Sequence, residues 1–499
     1  MKRCDAFLLA LVLTLLAGCG GGDSTSTPPP LSPDNLNLIF VSSPDLTHHA
    51  RGDIQPDTAN LTSQGLQRSL LMATYLRERV LGMQNVTAIY ALSPMTHLQT
   101  TNGYPDLAAI GFIQQFALLN QITLPVTPVN GSPSKWPGHS YPINVAYGTG
   151  SLPASVVPQP TICPDCAGLD FNNTGRNNDI LVAGVIDAPQ ASKAGYHVFS
   201  APWETIRDLM ANINAQRGYG LAPPATYRGP NHVYAISITP SGRASLVTYV
   251  GDLNPPATYP VLPAPVASAA CPNPMQPYFR TVRIGGVDGV SVPSNANVNQ
   301  TTYIVRHADA HPDPAFDFED GNFVGAGQWR SLALANTLRG RIHPTVAYSI
   351  DPAQWYPISA TQNVSYVRPS LTILPYVIDN NLPYFLAYTF PLSDPADDPT
   401  VADNTVDQFF TTQGGLSNQT VLLAWESAHI RPLLNRLITR YGGNPTLLPT
   451  AGPPVGEWPH PDYDTIWTVT LDARGNLTVD NALCEGVDSS KLPHTAPVF

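Results

Sequence analysis

The feature that most constrains this chain is a long-range echo of itself. Leu38-Ile39-Phe40-Val41 is a continuous apolar run of the kind that forms a strand covered on both faces, and it leads into Ser42-Ser43 and a polar loop. Tyr303-Ile304-Val305 does the same and leads into Arg306-His307. Each copy then reads Gly-x-x-Arg-Ser, at Gly65 to Ser69 and at Gly327 to Ser331, opening the helical patterns LLMATYLRERV and LALANTLRGRI. Short β-rich runs follow, VTAIYALSP and TVAYSIDP. TIRDLMANI from Thr205 parallels HIRPLLNRLI from His429. HVYAISITPSGRASLVT parallels DTIWTVTLDARGNLTV, each a pair of alternating runs around a turn.

This alternation predicts an α/β protein of two three-layer α/β/α domains. Each is expected to be a mainly parallel sheet flanked by helices and closed by a terminal β-hairpin. The expected boundaries are 36–253 and 300–499, joined by a Pro-, Ala- and Val-rich linker at 254–299. The alternative is two unrelated α/β domains that share generic patterning. In such sheets ligands bind beyond the carboxyl ends of the strands, so Arg306 and His307 stand where chemistry is expected.

The N-terminus points to a compartment. Lys2 and Arg3 precede an apolar run from Ala6 to Ala17 that is too short to span a bilayer. It ends in Leu16-Ala17-Gly18-Cys19, which resembles the bacterial lipoprotein lipobox. That resemblance implies a signal peptide at 1–18, lipidation of Cys19, and a membrane-anchored protein facing the periplasm or the cell exterior. Residues 19–35 read as a flexible tether stiffening into a proline segment. No later stretch has 18 uninterrupted apolar residues, so no transmembrane helix is predicted. Once Cys4 and Cys19 are set aside, Cys163, Cys166, Cys271 and Cys484 remain, enough for two disulfides in an oxidising space with three possible connectivities. Cys163 and Cys166 can close locally and leave Cys271 with Cys484; a redox-active Cys-x-x-Cys is the sharper alternative.

Only 12% of the 499 residues are charged and the net charge is −11, so the chain lacks the basic face that nucleic acid requires. An anionic ligand must therefore be held by a few placed arginines. The string YIVRHADAHPDP, with Arg306, His307 and Asp309, resembles the signature of the histidine phosphatase (phosphoglycerate mutase-like) superfamily, in its Arg-His-Ala-acid branch. The resemblance covers most of 301–480 and, more faintly, 36–251.

It implies hydrolysis of a small phosphorylated substrate through a phosphohistidine at His307, with no cofactor and no metal. The chemistry suits the residue types. A neutral imidazole can attack phosphorus in line when a hydrogen bond fixes its tautomer, and arginine forks grip the non-bridging oxygens. Arg306 would be the first clamp. Arg368-Pro-Ser-Leu-Thr372 fits the family's second, Arg-x-x-x-Thr. Relatives commonly carry a second histidine where Ser427 stands; His429 lies two positions later and keeps the same face on an extended strand, whereas if the helix has already begun it does not and the site lacks a cationic donor. His429 is thus the further phosphate-binding candidate, and Asp309 and Glu426 are the candidate proton donors.

In the first copy Ser42-Ser43 replaces Arg-His, Thr205 matches His429 and His97 sits where a second arginine is expected, while His48 and His49 lie in the adjoining loop without following the strand directly. That copy is expected to be catalytically silent. The alternative for the whole chain is an impaired pseudoenzyme that binds an anionic or phosphorylated ligand, or that scaffolds at the membrane.

Overall fold

The computed structural model describes residues 27–120, 142–148, 163, 166–189, 194–263, 266, 282–283, 291–310, 320–359, 362–392, 394–443 and 462–499. The expected signal peptide, Cys19 and Cys271 lie outside them.

The first half contains β1 (Leu36–Ser42), α1 (Ser63–Tyr75), β2 (Ala88–Ala91), β3 (Leu98–Gln99), β4 (Tyr104–Pro105) and α2 (Ala108–Leu119). It continues through β5 (Ile143–Asn144), α3 (Asn177–Asp187), β6 (Gly195–Ala201), α4 (Trp203–Arg217), β7 (His232–Ile238) and β8 (Ala244–Val250). The second half opens with β9 (Val282–Arg283), β10 (Gln300–Arg306), α5 (Gly325–Thr337), β11 (Val346–Ile350), β12 (Trp355–Ser359), β13 (Gln362–Ser365) and α6 (Arg368–Asp379). It ends with β14 (Tyr384–Ala387), α7 (Pro399–Phe410), β15 (Thr420–Trp425), α8 (Ser427–Arg440), β16 (Thr465–Leu471) and β17 (Leu477–Cys484).

The sheets run β5-β2-β6-β1-β7-β8 and β14-β11-β15-β10-β16-β17-β9. In each, four strands are parallel and the following hairpin is antiparallel. The fold is mixed α/β, with helices against both sheets. Within the stretch expected as a linker, Val282–Arg283 pairs with β17 as an edge strand.

Strand alternation decides which helices each sheet meets. On β1, Ile39 and Val41 face one core, while Leu36, Leu38 and Phe40 face another made with α3 and α4. On β15, Leu422 and Ala424 join the first core, while Val421, Leu423 and Trp425 pack with α7 and α8. The first core is common to both halves: Leu66, Phe112 and Ile113 from α1 and α2 meet Leu371, Leu374 and Val377 from α6. The Leu374 side chain presses onto the α2 backbone there, since a Cβ on Gly111 would lie 2.7 Å from Leu374 Cδ2.

Polar groups cross the same boundary. Gln114 and Asn322 exchange side-chain amide hydrogen bonds (2.8 and 3.0 Å), and Gln328 donates to Gln115 (2.8 Å). A disulfide joins Cys163 to Cys166, and Cys484 is also disulfide-bonded. Among the described residues no helix is long and apolar enough to cross a membrane.

The repeated Gly-x-x-Arg-Ser has a structural explanation. A Cβ on Gly65 would lie 2.2 Å from the Asp53 carbonyl oxygen, and one on Gly327 would lie 2.7 Å from that of Asp309. Each glycine lets the first turn of its helix press onto the preceding loop. The arginine three residues on then reaches the same loop residue's carboxylate: Arg68 Nε to Asp53 at 2.8 Å and Arg330 Nε to Asp309 at 2.6 Å.

Another polar tie between the halves carries a pH signature. The Tyr147 hydroxyl donates to Asp351 Oδ2 (2.5 Å), and burial holds the Asp351 carboxyl up at about 6 against an ordinary 3.8. Because the folded value is raised, the group's contribution to stability is full below about 4 and is lost as pH rises through about 6. Asp351→Asn, whose oxygen can still accept from the Ala353 N–H while its amide donates to the Tyr147 hydroxyl and never ionises, should therefore stabilise the protein at pH 8 by on the order of 1–3 kcal/mol. That gain should fade toward pH 4, and thermal melts across this range would show it; an effect independent of pH would refute the assignment.

Candidate active site

Parallel neighbours β10 and β15 pair with Arg306 opposite Trp425, so Arg306-His307 and Glu426 leave the sheet side by side at its carboxyl edge. The His307 N–H donates to the Trp425 carbonyl (3.2 Å), extending that ladder by one residue. β16 runs the other way with Ile466 opposite Val305, which brings Asp462 and Tyr463, just before it, to the same edge. Tyr366 precedes α6, and Arg368 is that helix's first residue.

His307 is buried. Its Nδ1 lies 2.9 Å from the Ala308 carbonyl oxygen, which can only accept, so Nδ1 carries the proton and Nε2 keeps its lone pair. Burial, then Arg306 and Arg368, hold the ring's pKa well below the usual histidine range, so at neutral pH it is uncharged. Ring centroids of Tyr366 and Tyr463 stand 6.1 and 6.0 Å from it.

Both arginines are buried and braced. Arg306 donates to the Asp462 carbonyl (3.2 Å), with its guanidinium 4.0 Å from the Tyr463 ring centre. Arg368 Nε donates to the Asn322 carbonyl (2.6 Å), its guanidinium lies 3.8 Å from Asp320 Oδ1, and it sits 5.4 Å from the Tyr366 ring centre. The Arg-x-x-x-Thr spacing acts within one helical turn. The Thr372 hydroxyl donates to the Arg368 carbonyl (2.8 Å) and accepts from the Ala308 N–H (2.7 Å), locking the clamp helix to the residue after His307.

Whether His429 keeps the face of the strand depends on where the helix starts. Helix α8 has already begun at Ser427, so His429 sits in its first turn and the shared-face argument from an extended strand does not apply. The ring folds back on Glu426, with Nδ1 2.7 Å from Oε2, and stacks on Phe390 at 4.2 Å. Its Nε2 is buried without a hydrogen-bond partner. Ser427 donates to the other Glu426 oxygen (3.2 Å). Burial alone would raise Glu426, but His429, the Ala428 N–H and His307 outweigh it and hold the carboxyl at about 2. Asp309, the other expected proton donor, is committed elsewhere. It pairs with the fully buried Arg330, which also holds Glu485 (2.7 Å) and faces Asp464 (3.5 Å).

Arg306, His307, Arg368, Glu426 and His429 thus share one electrostatic environment, and Asp309 belongs to a neighbouring ion-pair network. Sequence reasoning missed Tyr366, Tyr463, Asn322 and Asp320. Tyr366 and Tyr463 carried a signal, each being an aromatic residue close to an element that starts at the sheet edge.

The first half ends its strand in the same way: the Ser43 N–H donates to the Ala201 carbonyl (2.9 Å). Thr205 donates to the Phe171 carbonyl (3.0 Å), and His97 pairs with Asp106 (2.8 Å) while stacking on Phe171 at 3.7 Å. His49 Nδ1 lies 2.6 Å from the Asp45 carbonyl.

No protein-family model matches the sequence, and no curated protein matches it. Among solved structures it is similar to the protein histidine phosphatase SixA complexed with tungstate. There the TM-score is 0.21 and identity 20%, over 36% of this chain and 97% of that one. It is also similar to a protein of Escherichia coli str. K-12 substr. MG1655 assigned as an alpha-ribazole-5'-P phosphatase. There the TM-score is 0.23 and identity 11%, over 40% of this chain and 99% of that one.

The Arg330 network yields a stability test. Burial is the strongest influence on Glu485 and holds it up at about 8, with Arg330 pulling the other way. Arg330→Met leaves Asp309, Asp464 and Glu485 without their common cation and should cost about 3–5 kcal/mol in urea unfolding. A loss below about 1 kcal/mol, the scale of an exposed pair, would show that the network is not holding the site edge together.

Proposed function

We propose that the second half hydrolyses phosphomonoesters through a phosphohistidine at His307. The observation that carries this reading is a buried imidazole whose Nδ1 faces the Ala308 carbonyl, with two buried guanidiniums in electrostatic reach. Arg306 and Arg368 hold the non-bridging oxygens of a tetrahedral dianion. The Nε2 lone pair of His307 forms the N–P bond as the ester P–O bond breaks. The bound dianion beside Glu426 raises its pKa, so the Glu426–His429 pair takes up the proton that it then gives to the leaving oxygen. Water then adds to phosphorus as the P–N bond breaks, and its proton returns to that pair. Inorganic phosphate leaves and His307 is restored. In this reading Asp309 only braces the loop through Arg330, the first half is catalytically silent, and the protein is tethered by lipid at Cys19 on the periplasmic or outer face. The second reading, a phosphate-binding pseudoenzyme, is favoured by Ser427 standing where a second histidine is expected.

Turnover of a phosphomonoester panel by the full chain separates the two. His307→Ala should lower kcat by at least about a thousandfold. Arg368→Lys, which loses the fork but keeps the charge, should cost about ten- to a hundredfold in kcat/KM. Acid-labile, base-stable phosphate on the wild type and none on His307→Ala would support the intermediate. Unchanged turnover in His307→Ala would refute the mechanism, and phosphate binding without turnover in the wild type would favour the pseudoenzyme.

A further inference from the structure

The carboxyl edge of the first sheet gathers carboxylates beside an imidazole where that of the second gathers guanidiniums. The matching backbone bonds, Ser43 to Ala201 and His307 to Trp425, set the two edges in correspondence. Where the second edge gathers arginines and histidines, the first gathers Asp45, His48 and Glu204. Asp45 is buried, and its Oδ1 accepts from the backbone N–H groups of Thr47 (3.0 Å) and His48, so the turn holds both side chains together. Glu204 comes from the first turn of α4. One ligand atom from each of the three lies within 4.8 Å of the others.

An ion pair alone does not account for this cluster. His48 Nδ1 lies 2.9 Å from Glu204 Oε1 as an ion pair, yet this buried nitrogen has no hydrogen-bond partner. Glu204 Oε2 is likewise buried and unpartnered. A buried polar atom without a partner is destabilising, so two within one cluster point to a ligand that satisfies them. A ligand facing two carboxylates and an imidazole nitrogen is a cation. One imidazole among oxygens suits a borderline transition metal, whereas calcium and magnesium prefer oxygen ligands throughout.

We propose that Asp45, His48 and Glu204 form a binding site for a divalent cation of the zinc class, tying the loop after β1 to the start of α4. Three protein ligands leave a fourth position for water or a further group.

Calorimetric titration of the purified full chain with zinc chloride tests this, after chelator stripping and with free thiols blocked by N-ethylmaleimide. One zinc per chain is expected, together with a rise in the thermal midpoint. His48→Gln and Glu204→Gln should each weaken binding by at least about tenfold. Both side chains are about a quarter exposed, so the variants should keep the fold, which near-UV circular dichroism checks. His307→Ala should bind zinc as the wild type does, placing the ion in the first half. The proposal is overturned by an absence of binding, by binding indifferent to both variants, by loss in His307→Ala instead, or by calcium or magnesium outcompeting zinc.

Discussion

Parallel pairing of β10 with β15, in the register that sets Arg306 opposite Trp425, is the constraint on which the rest of the candidate site depends. A slip of one residue would turn every side chain on β10 to the other face of the sheet. Val305 would leave the core it shares with Leu422 and Ala424, and Ile304 would leave the one it shares with Leu423 and Trp425. The apolar alternation therefore fixes the register, and the register delivers His307 and Glu426 to the same edge. Antiparallel β16 adds Tyr463 there because its own start lies beside the end of β10.

Around that edge, most bracing comes from groups without a direct role in the proposed chemistry. Thr372 joins the first turn of α6 to Ala308. Arg330 gathers three carboxylates beneath the loop that follows His307. Asn322 serves twice, accepting from Arg368 at its carbonyl and exchanging amide hydrogen bonds with Gln114 across the boundary between the halves. The first half is thus built into the support of the Arg368 clamp through Asn322. One apolar core running through α1, α2, α5 and α6 makes that support rigid.

The two sheet edges show how one scaffold can hold opposite chemistry. Strand order and the backbone bond that ends the central strand are common to both. What differs is the handful of side chains beyond the strand: guanidinium and imidazole in the second half, carboxylate and imidazole in the first. A sheet positions loops with little regard for their charge, so either sign can occupy the edge provided its groups are paired or bind a ligand.

Much of this was legible in the sequence because it is written in short-range patterns. Runs such as Leu38 to Val41 and Tyr303 to Val305 specify buried strands, and the helical runs behind them specify the layers. Arg306, His307 and Arg368 were legible because they sit at fixed offsets from those elements. Other features depended on where distant segments met. The sequence alone could not say that α8 begins at Ser427 and turns His429 back onto Glu426, since Ser-Ala-His suits a strand end as well as a helix start. Nor could it say that Asp309 is claimed by Arg330, that Tyr366 and Tyr463 flank the imidazole, or that Asp45 and Glu204 converge on His48. Strand and helix periodicity follow from each residue's own neighbours, whereas pairings between residues scores of positions apart arise only when sheets and helices close on a shared core.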